Sequence, residues 1–518
     1  MKQFFTFITL FCSSFFTISQ NKTQSLDQQI DQSFHNATSW FTDIILYQIP
    51  ISENITIPWV LIILVGGALY FSFYFKGINF NGFVTAINVV RGKYDDIDKP
   101  ENKIDISETI KVEGEGEVSH FQALTAALSA TVGLGNIAGV AIALSIGGAG
   151  ATFWMIVVGL LGMASKFVEC TLGVKYREIE VDGTVFGGPM YYLKKGLKEL
   201  GYSKLGKGLS ILFAIMCVGG SFGGGNMFQV NQAFKLFEYV TGGEQSFIYG
   251  KGWLFGLIMA IFAGIVIIGG IKKIAKVTDK VVPIMVVVYV LAVITILVMN
   301  YTQIPNAINQ IIQGAFNPNG IAGGVIGVMI QGFRRGAFSN EAGIGSSSIA
   351  HAAVKTNYAA SEGLVALLEP FIDTVVVCTM TALALVITGQ ITVGSQVSFE
   401  QGAILTSKAL ESGISWFPYV LTIAVILFAF SSMISWSYYG YQAWSYLFGR
   451  EKRTGNVYKI IFCIFTIIGA SATLNAVVNF SDAMVFAMMV PNMIGLILLA
   501  PKVVKELNRY KNAIQNKL

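Results

Sequence analysis

Two glycine-rich stretches decide the fold of this chain: SATVGLGNIAG at positions 129–139 and RGAFSNEAGIGS at positions 335–346. Each lies within a long apolar segment and contains Gly-x-Gly beside small polar residues. Mid-helix glycine costs about 1 kcal/mol relative to alanine, so such clusters favour local unwinding. Close helix packing would explain a single Gly-x-Gly. The paired occurrence instead favours two broken helices lining a binding site, because unwound backbone at membrane depth is tolerated only around a cavity.

The sequence around these stretches has the composition of a polytopic membrane protein. Of its 518 residues, 53% are hydrophobic and 13% are charged, whereas a soluble domain has about 25% charged residues. Long apolar runs without strand alternation indicate transmembrane helices of roughly 20 residues each. Eleven spans are predicted, at 58–75, 120–146, 150–173, 207–236, 253–271, 280–299, 320–350, 362–388, 415–446, 457–474 and 478–500.

Ten of these spans form two sets of five, at 119–299 and 320–500, and each set begins with one of the broken helices. Because five is odd, the second set enters the membrane in the opposite sense, which is the inverted repeat of secondary transporters. The predicted fold is an all-α 5+5 membrane bundle with one extra N-terminal helix at 58–75. Residues 300–319 are predicted as an outer loop and residues 501–518 as a cytoplasmic tail.

The distribution of charge predicts the orientation of the bundle. Residues 1–19 fit a signal peptide, with an uncleaved helix as the alternative. Residues 20–57 are then extracytoplasmic and residues 76–118 form a cytoplasmic linker. With this orientation the inner connections hold 27 of the 35 lysines and arginines and the outer connections hold four. That asymmetry follows the positive-inside rule and predicts an outside N-terminus and a cytoplasmic C-terminus in the cell membrane.

The remaining polar residues exclude some classes of protein and leave others open. The H-E-x-x-H motif is absent, and the five cysteines and three histidines form no metal-binding spacing, so an intramembrane enzyme is not predicted. A passive channel or a substrate sensor stays open. The charged residues Glu369, Asp373, Arg334, Arg335 and Glu341 lie within apolar segments. They fit gating pairs, proton coupling or structural ion pairs.

The stretch GGAGATFWMIVVGLLG at 147–162 looks like the signature of the alanine/glycine:cation (sodium) symporter family, with departures at Thr152 and Ile156. The motifs that also match are SHFQALTAALSATVG at 119–133, GNMFQ at 225–229, RGAFSNEAG at 335–343 and SMISWSYYG at 432–440. The resemblance covers about 58–502. It implies a LeuT-type fold and alternating-access uptake of alanine, glycine or a similar small amino acid with Na⁺ as coupling ion. The nearest rival keeps this fold but carries another small amino acid with H⁺.

The resemblance also implies a substrate site at the two broken helices. The predicted substrate contacts are Gly133, Gly135, Asn136, Asn226, Gln229, Phe338, Ser339, Asn340, Ser432 and Trp436. The amides near Gly133 would meet the substrate carboxylate, and the Trp436 indole would limit side-chain size. The alternatives are an interfacial position for Trp436 and helix–helix hydrogen bonds for Asn226 and Gln229.

A sodium site is implied by the same resemblance. Its predicted ligands are the carbonyls of Ser129, Val132 and Phe428 and the hydroxyls of Ser431 and Ser432. Hydrogen bonds of the two serines to their own helix are the alternative. The implied partners are a small amino acid and the lipid bilayer; no organic cofactor, nucleic acid or obligate protein partner is predicted.

Overall fold

The computed structural model describes residues 26–52, 55–98, 118–181, 183–317, 324–391 and 402–517. These residues are mostly helical, with two short antiparallel hairpins. The predicted signal peptide lies outside the described residues.

The N-terminal region packs an external helix and a hairpin onto the bundle. Its elements are α1 (Leu26–Ile45), β1 (Gln48–Ser52), β2 (Ile55–Pro58), α2 (Trp59–Tyr74), α3 (Ile78–Asn81), α4 (Phe83–Val90) and α5 (Asp95–Asp98). The described part of the predicted linker at 76–118 therefore contains three short helices.

The first predicted repeat contains two helices interrupted by π-helical turns. Its elements are α6 (His120–Thr131), a π-turn (Gly135–Gly139), α7 (Val140–Gly147), α8 (Ala151–Lys175), β3 (Glu178–Ile179), β4 (Val185–Phe186), α9 (Pro189–Glu199), α10 (Ser203–Phe222), a π-turn (Gly223–Met227), α11 (Phe228–Val240), a 3₁₀ turn (Gly243–Gln245), α12 (Gly252–Ile267) and α13 (Gly270–Met299).

The second predicted repeat follows a segment that is itself helical. The elements are a 3₁₀ turn (Tyr301–Gln303), α14 (Ile304–Phe316), α15 (Gly324–Asn340), α16 (Ser347–His351), α17 (Ala359–Ala366), α18 (Leu368–Pro370), a π-helical segment (Phe371–Cys378), α19 (Thr379–Ile387), α20 (Gly402–Glu411), α21 (Phe417–Phe448), α22 (Lys452–Ser471) and α23 (Leu474–Lys517). The predicted outer loop at 300–319 thus holds α14, and the predicted tail continues α23.

Helices lie at all eleven predicted positions. Among the described residues, seven helices are long and apolar enough to cross a membrane, or nine if each of two bent pairs counts as one span. The bent pairs are α2 with α3–α4, at 66°, and α6 with its π-turn and α7, at 52°. The other two positions hold α12, which has 16 residues, and α15, which has 17 residues before its break.

Helix α8 joins the two repeats, because it packs against both α15 and α17. A Cβ atom added at Gly332 of α15 would lie 2.5 Å from the Ala151 carbonyl oxygen, and one at Gly363 of α17 would lie 2.7 Å from the Phe167 carbonyl oxygen. Only glycine permits backbones to approach this closely. The two breaks also meet, since a Cβ at Gly135 would lie 3.4 Å from Ser339 Oγ.

Helix α1 spans the ends of two other helices. Asp27 Oδ2 accepts a hydrogen bond from the Gly252 amide at 3.0 Å, and Asp31 Oδ1 accepts one from the Thr473 amide at 2.8 Å. These carboxylates satisfy amides at the starts of α12 and α23, where helices leave N–H groups unpaired. Phe34 is buried and packs edge-on against Phe480, with ring centroids 5.1 Å apart. The external helix is therefore fixed to one helix from each repeat.

Candidate functional site

The first break lies between α6 and the π-turn that follows it. α6 begins with a capping box in which Ser119 Oγ accepts from the Gln122 amide at 3.3 Å and Gln122 Oε1 accepts from the Ser119 amide at 3.1 Å. The helix ends at Thr131 because Val132 is extended, with φ −74° and ψ 93°. The break therefore falls within the glycine-rich stretch that the sequence singled out.

Two backbone amides at this break bond to side-chain oxygens. The Gly133 amide donates to Asn136 Oδ1 at 2.8 Å, and the Leu134 amide donates to Gln229 Oε1 at 3.3 Å. A carboxylate has acceptor oxygens of the same kind. The two amides are therefore suited to hold either these amide carbonyls or an acidic group of a ligand.

A cluster of neutral oxygens lies one turn earlier. Ser432 Oγ donates to the Ser129 carbonyl at 3.2 Å, and Ser435 Oγ donates to Ser129 Oγ at 3.0 Å. Ser431 Oγ bonds within its own helix to the Phe428 carbonyl at 3.0 Å, as the sequence alternative suggested. Ser129 Oγ in turn donates to the Ser431 carbonyl at 3.4 Å.

Two further predicted sodium ligands lie beside this cluster. Val132 and Phe428 line a small cavity with Gly133, Asn136 and Tyr289. Carbonyls freed at a break are the ligands that transporters of this architecture offer to Na⁺. The donor set fits a hard monovalent cation, because it consists of hydroxyl and carbonyl oxygens without a counter-charge.

A second cavity lies between the two breaks and α21. Its lining residues are Ala130, Thr131, Gly135, Gly224, Gln229, Phe338, Ser339, Glu341, Trp436 and Val485. Five predicted substrate contacts are thus brought together here: Gly135, Gln229, Phe338, Ser339 and Trp436.

The Trp436 side chain forms one wall of this cavity. It packs so closely on the glycine-rich turn that a Cβ at Gly225 would lie 2.2 Å from its Cγ atom. Its indole N–H donates to Glu341 Oε1 at 3.1 Å. Trp436 is buried, with 2% of its surface exposed, which excludes an interfacial position. Glu341 is not among the predicted substrate contacts, although a carboxylate within an apolar segment beside a glycine break was the available signal.

The second break separates α15 from α16. Glu341 has a positive φ of 55°, and Gly343 and Gly345 have φ of 82° and 98°. A left-handed conformation is costly for glutamate but not for glycine. The Ser346 hydroxyl donates to Glu341 Oε2. This carboxylate is therefore held between Trp436 and Ser346.

Asp373 links the two breaks. Asn136 Nδ2 donates to Asp373 Oδ1 at 2.7 Å, and Ser339 Oγ donates to Asp373 Oδ2 at 2.7 Å. Thr374 Oγ1 also donates to this carboxylate, at 2.8 Å. Asn136 is thus placed between the Gly133 amide and a buried acid of the second repeat.

Two predicted substrate contacts make structural bonds outside the second cavity. Asn226 Nδ2 donates to the Phe462 carbonyl at 2.8 Å, and Asn226 Oδ1 accepts from Thr466 at 3.0 Å. This is the helix–helix bonding that the sequence left open. Asn340 Nδ2 donates to Thr374 Oγ1 at 3.0 Å, and its Oδ1 accepts from the Ala342 amide at 3.0 Å.

The arginines before the second break form ion pairs. Arg334 Nε donates to Asp482 Oδ2 at 2.7 Å, and Arg335 also pairs with Asp482. The Arg335 guanidinium lies 5.2 Å from the centroid of the Phe338 ring. These pairs therefore fix α15 to α23 next to the second cavity.

Comparison with known proteins identifies the transporter group. The profile of the sodium:alanine symporter family matches residues 7–518. The chain belongs to this family. The predicted family resemblance is confirmed, and so is the prediction that the protein is a multi-pass membrane transporter rather than an enzyme.

Individual members of the sodium:alanine symporter family align over most of the chain. The sodium/alanine symporter AgcS of Methanococcus maripaludis is 39% identical over 460 residues, which cover 89% of this chain and 95% of that protein. The Bacillus subtilis protein named "Probable sodium/glutamine symporter GlnT" is 34% identical over 396 residues, or 76% of this chain and 78% of that protein. Family membership supports cation-coupled symport of an amino acid.

A solved structure confirms the fold class. The crystal structure of MhsT in complex with L-phenylalanine matches with a TM-score of 0.54 at 16% identity, covering 74% of this chain and 89% of MhsT. The predicted LeuT-type architecture is therefore correct for this member of the sodium:alanine symporter family.

Proposed function

We propose that this protein imports alanine, glycine or a similarly small amino acid together with Na⁺ by alternating access. One observation carries the proposal. Within one turn of the first break, the Ser129 carbonyl faces Ser432 Oγ, while the Gly133 and Leu134 amides hold side-chain oxygens. The same short segment thus offers oxygens to a cation and N–H groups to a carboxylate.

The proposed cation site uses the neutral oxygens of Ser129, Val132, Phe428, Ser431 and Ser432. The Ser432 hydroxyl donates to the Ser129 carbonyl at 3.2 Å. Rotation of this hydroxyl would turn its oxygen toward a cation, so that Ser129 and Ser432 become ligands together. Sodium is favoured because this segment contributes no titratable side chain, and because the relative AgcS is named a sodium/alanine symporter.

The proposed amino-acid site is the second cavity. The Gly133 and Leu134 amides would exchange Asn136 Oδ1 and Gln229 Oε1 for the substrate carboxylate, helped by the partial positive charge at a helix N-terminus. The substrate ammonium would be stabilised by Glu341, which lines the cavity. Trp436 and Phe338 would leave room only for a small side chain.

The proposed orientation keeps residues 20–57 outside and the C-terminus in the cytoplasm of a cell with an inward Na⁺ gradient. Its support is the distribution of lysine and arginine, which follows the positive-inside rule. Na⁺ is the coupling ion, and the proposed mechanism requires no organic cofactor.

Uptake into proteoliposomes tests the proposal. An inward Na⁺ gradient should drive accumulation of [¹⁴C]alanine, and alanine should in turn accelerate entry of ²²Na⁺. Uptake that is indifferent to Na⁺ but driven by an imposed pH gradient would replace the sodium assignment with the proton-coupled rival.

The Ser432→Ala variant tests the cation site directly. Loss of the hydroxyl should raise the Na⁺ concentration for half-maximal uptake about tenfold, equivalent to about 1.4 kcal/mol. Ser437→Ala is the matched control on the same helix, because Ser437 Oγ donates to the Ile434 carbonyl of its own helix at 2.6 Å. An unchanged Na⁺ requirement in Ser432→Ala would remove this serine from the site.

A further inference from the structure

A chain of buried titratable side chains lies outside both cavities, and we name it the charge chain. His120 Nδ1 contacts Glu362 Oε2, and His351 Nδ1 contacts Glu362 Oε1 at 2.5 Å. His351 Nε2 faces Glu369 Oε2 at 3.5 Å, and Lys166 Nζ lies 3.1 Å from Glu369 Oε1. Four of the five residues have no exposed surface, and His120 is 8% exposed. Among the described residues the charge chain is therefore continuous, and His120 is its most exposed member.

The charge chain crosses both repeats. His120 is the first residue of α6 and Lys166 lies in α8, whereas His351, Glu362 and Glu369 lie in α16, α17 and α18. α6 is also the half-helix that ends at the first break. The contact between His120 and Glu362 therefore ties the N-terminal end of a broken helix to the second repeat.

Acidic side chains outnumber basic side chains around the charge chain. The titratable groups that interact electrostatically with it or with one another are the acids Glu169, Glu341, Glu362, Glu369 and Asp373, the bases Lys166 and Arg177, and the neutral groups Cys170, Tyr192 and Tyr439. With neutral imidazoles the cluster has three more negative than positive charges. If both imidazoles were protonated, one net negative charge would remain. That charge can be assigned to Asp373, whose carboxylate is stabilised by hydrogen bonds from Asn136, Ser339 and Thr374. Since unpaired buried charge is costly, proton binding would stabilise the cluster.

The position of His351 indicates where one proton would bind. Both its ring nitrogens face carboxylates, but neutral imidazole donates from only one nitrogen. Among the described residues, neither His351 Nε2 nor Glu369 Oε2 has a hydrogen-bond partner, although the two atoms are 3.5 Å apart. A proton on Nε2 would supply the missing donor between them.

We infer that the charge chain is a proton-binding site, separate from the amino-acid and cation sites, that closes the His120 end of α6. Protons enter through His120 and are shared with Glu362 and Glu369. When they leave, the carboxylates repel one another and α6 loses its attachment to α17. In the proposed orientation this end faces the cytoplasm, so a proton-free site leaves the inner side open and slows return to the outward-facing state.

The test is [¹⁴C]alanine uptake at a fixed Na⁺ gradient, with external pH held constant and internal pH varied from 6.5 to 9.5. The wild-type rate should fall at least fivefold as internal pH rises. Glu362→Gln and His351→Gln should be slower at pH 6.5 and change less than twofold over the range. His120→Lys, which keeps a cation that does not titrate in this range, should also respond less than the wild type. The matched control is His35→Asn, because His35 is exposed on α1 and its loss should preserve the fivefold response.

A second readout does not depend on transport, so failure of the proposed function and failure of this inference are distinguishable. Thermal unfolding of the purified full chain should show a larger decrease in Tm between pH 6.5 and 9.5 for the wild type than for His120→Lys, since proton binding stabilises the folded state. The inference would be overturned if the wild-type uptake rate changed less than twofold across the range of internal pH. It would also be overturned if the uptake rates of His120→Lys and Glu362→Gln depended on internal pH in the same way as that of the wild type. Identical Tm profiles for wild type and His120→Lys would do the same.

Discussion

At the first break α6 ends at Thr131 and helical bonding resumes at Gly135, whereas at the second break the chain stays unwound from Glu341 until Ser347. The first offers neutral oxygens and backbone amides from its own segment, and it contacts a charged group through Asn136, which donates to Asp373. The second contains a left-handed glutamate held by the Trp436 indole and a serine hydroxyl. Equivalent positions in the two repeats thus differ in chemistry. The first break offers neutral oxygens that suit a bound cation, whereas the second break contributes a carboxylate.

The largest expected effect tests the close packing at the first break. In Gly133→Ala the new Cβ would lie 2.5 Å from Ser432 Oγ and 3.3 Å from Gln229 Oε1. Overpacking of this kind costs up to about 3 kcal/mol, so alanine uptake should fall about 100-fold. Gly66→Ala is the control, because in the described part of the chain no atom beyond its own helix backbone lies within 4 Å of the new Cβ there. Equal uptake by both variants would show that the first break tolerates a side chain.

The next effect tests the charge at the second break. Glu341→Gln preserves shape but weakens the bonds from Trp436 and Ser346, and hydrogen bonds to charged groups are worth about 1.5–3 kcal/mol. Alanine half-saturation should therefore rise about 30-fold. Glu341→Gly, which relieves the left-handed backbone without restoring the charge, should not recover uptake. Recovery of uptake in the glycine variant would mean that this break requires the backbone conformation and not the charge. The control is Glu244→Gln, because Glu244 is exposed.

A smaller effect concerns the wall between the breaks. Trp436→Ala should raise alanine half-saturation about tenfold, roughly 1.4 kcal/mol, and should permit measurable leucine uptake because the indole no longer fills the cavity. Trp416→Ala, at the start of the same helix and 62% exposed, should change neither substrate. Competition by leucine against [¹⁴C]alanine measures both changes, and unchanged competition in Trp436→Ala would remove this residue from the pocket.

The smallest effect separates a structural amide from a site amide. Asn226→Ala should lower Tm by about 2 °C through loss of about 1 kcal/mol of helix–helix bonding, with alanine half-saturation within twofold of wild type. Gln229→Ala should instead raise half-saturation about tenfold, because Gln229 lines the second cavity, where the substrate is proposed to bind. Purified variants compared by thermal unfolding and uptake give both values. The reverse pattern would exchange the roles of these two residues.

The sequence was sufficient to locate both breaks, because clustered glycines and small polar residues act locally on the backbone. It did not predict the bond between Trp436 and Glu341, which are 95 positions apart, or that between His120 and Glu362, which are 242 apart. Such contacts depend on how the repeats pack around α8, and no local pattern encodes that packing. Asn226 and Gln229 illustrate the limit: both are buried amides on one segment, and only the tertiary structure directs one to α22 and the other to the first break.

Helix α14 and the π-turns were missed for a different reason. α14 is 13 residues long, shorter than a membrane span, so hydrophobic length did not reveal it. The π-turns at Gly135 and Gly223 add a residue to a helical turn without a distinct sequence pattern. Their glycines indicated that the helix is locally destabilised, but they did not indicate that it adopts π-helical hydrogen bonding.

The attachment of α1 has a mechanical consequence. Asp27 and Asp31 fasten the N-terminal helix to the starts of α12 and α23, which belong to different repeats. When two bodies are clasped at one end, rotation between them pivots at the clasp, and displacement grows with distance from it. The lever arm is then longest at the far ends of the helices. A tilt between these two helices would therefore displace their far ends more than the ends that α1 holds together.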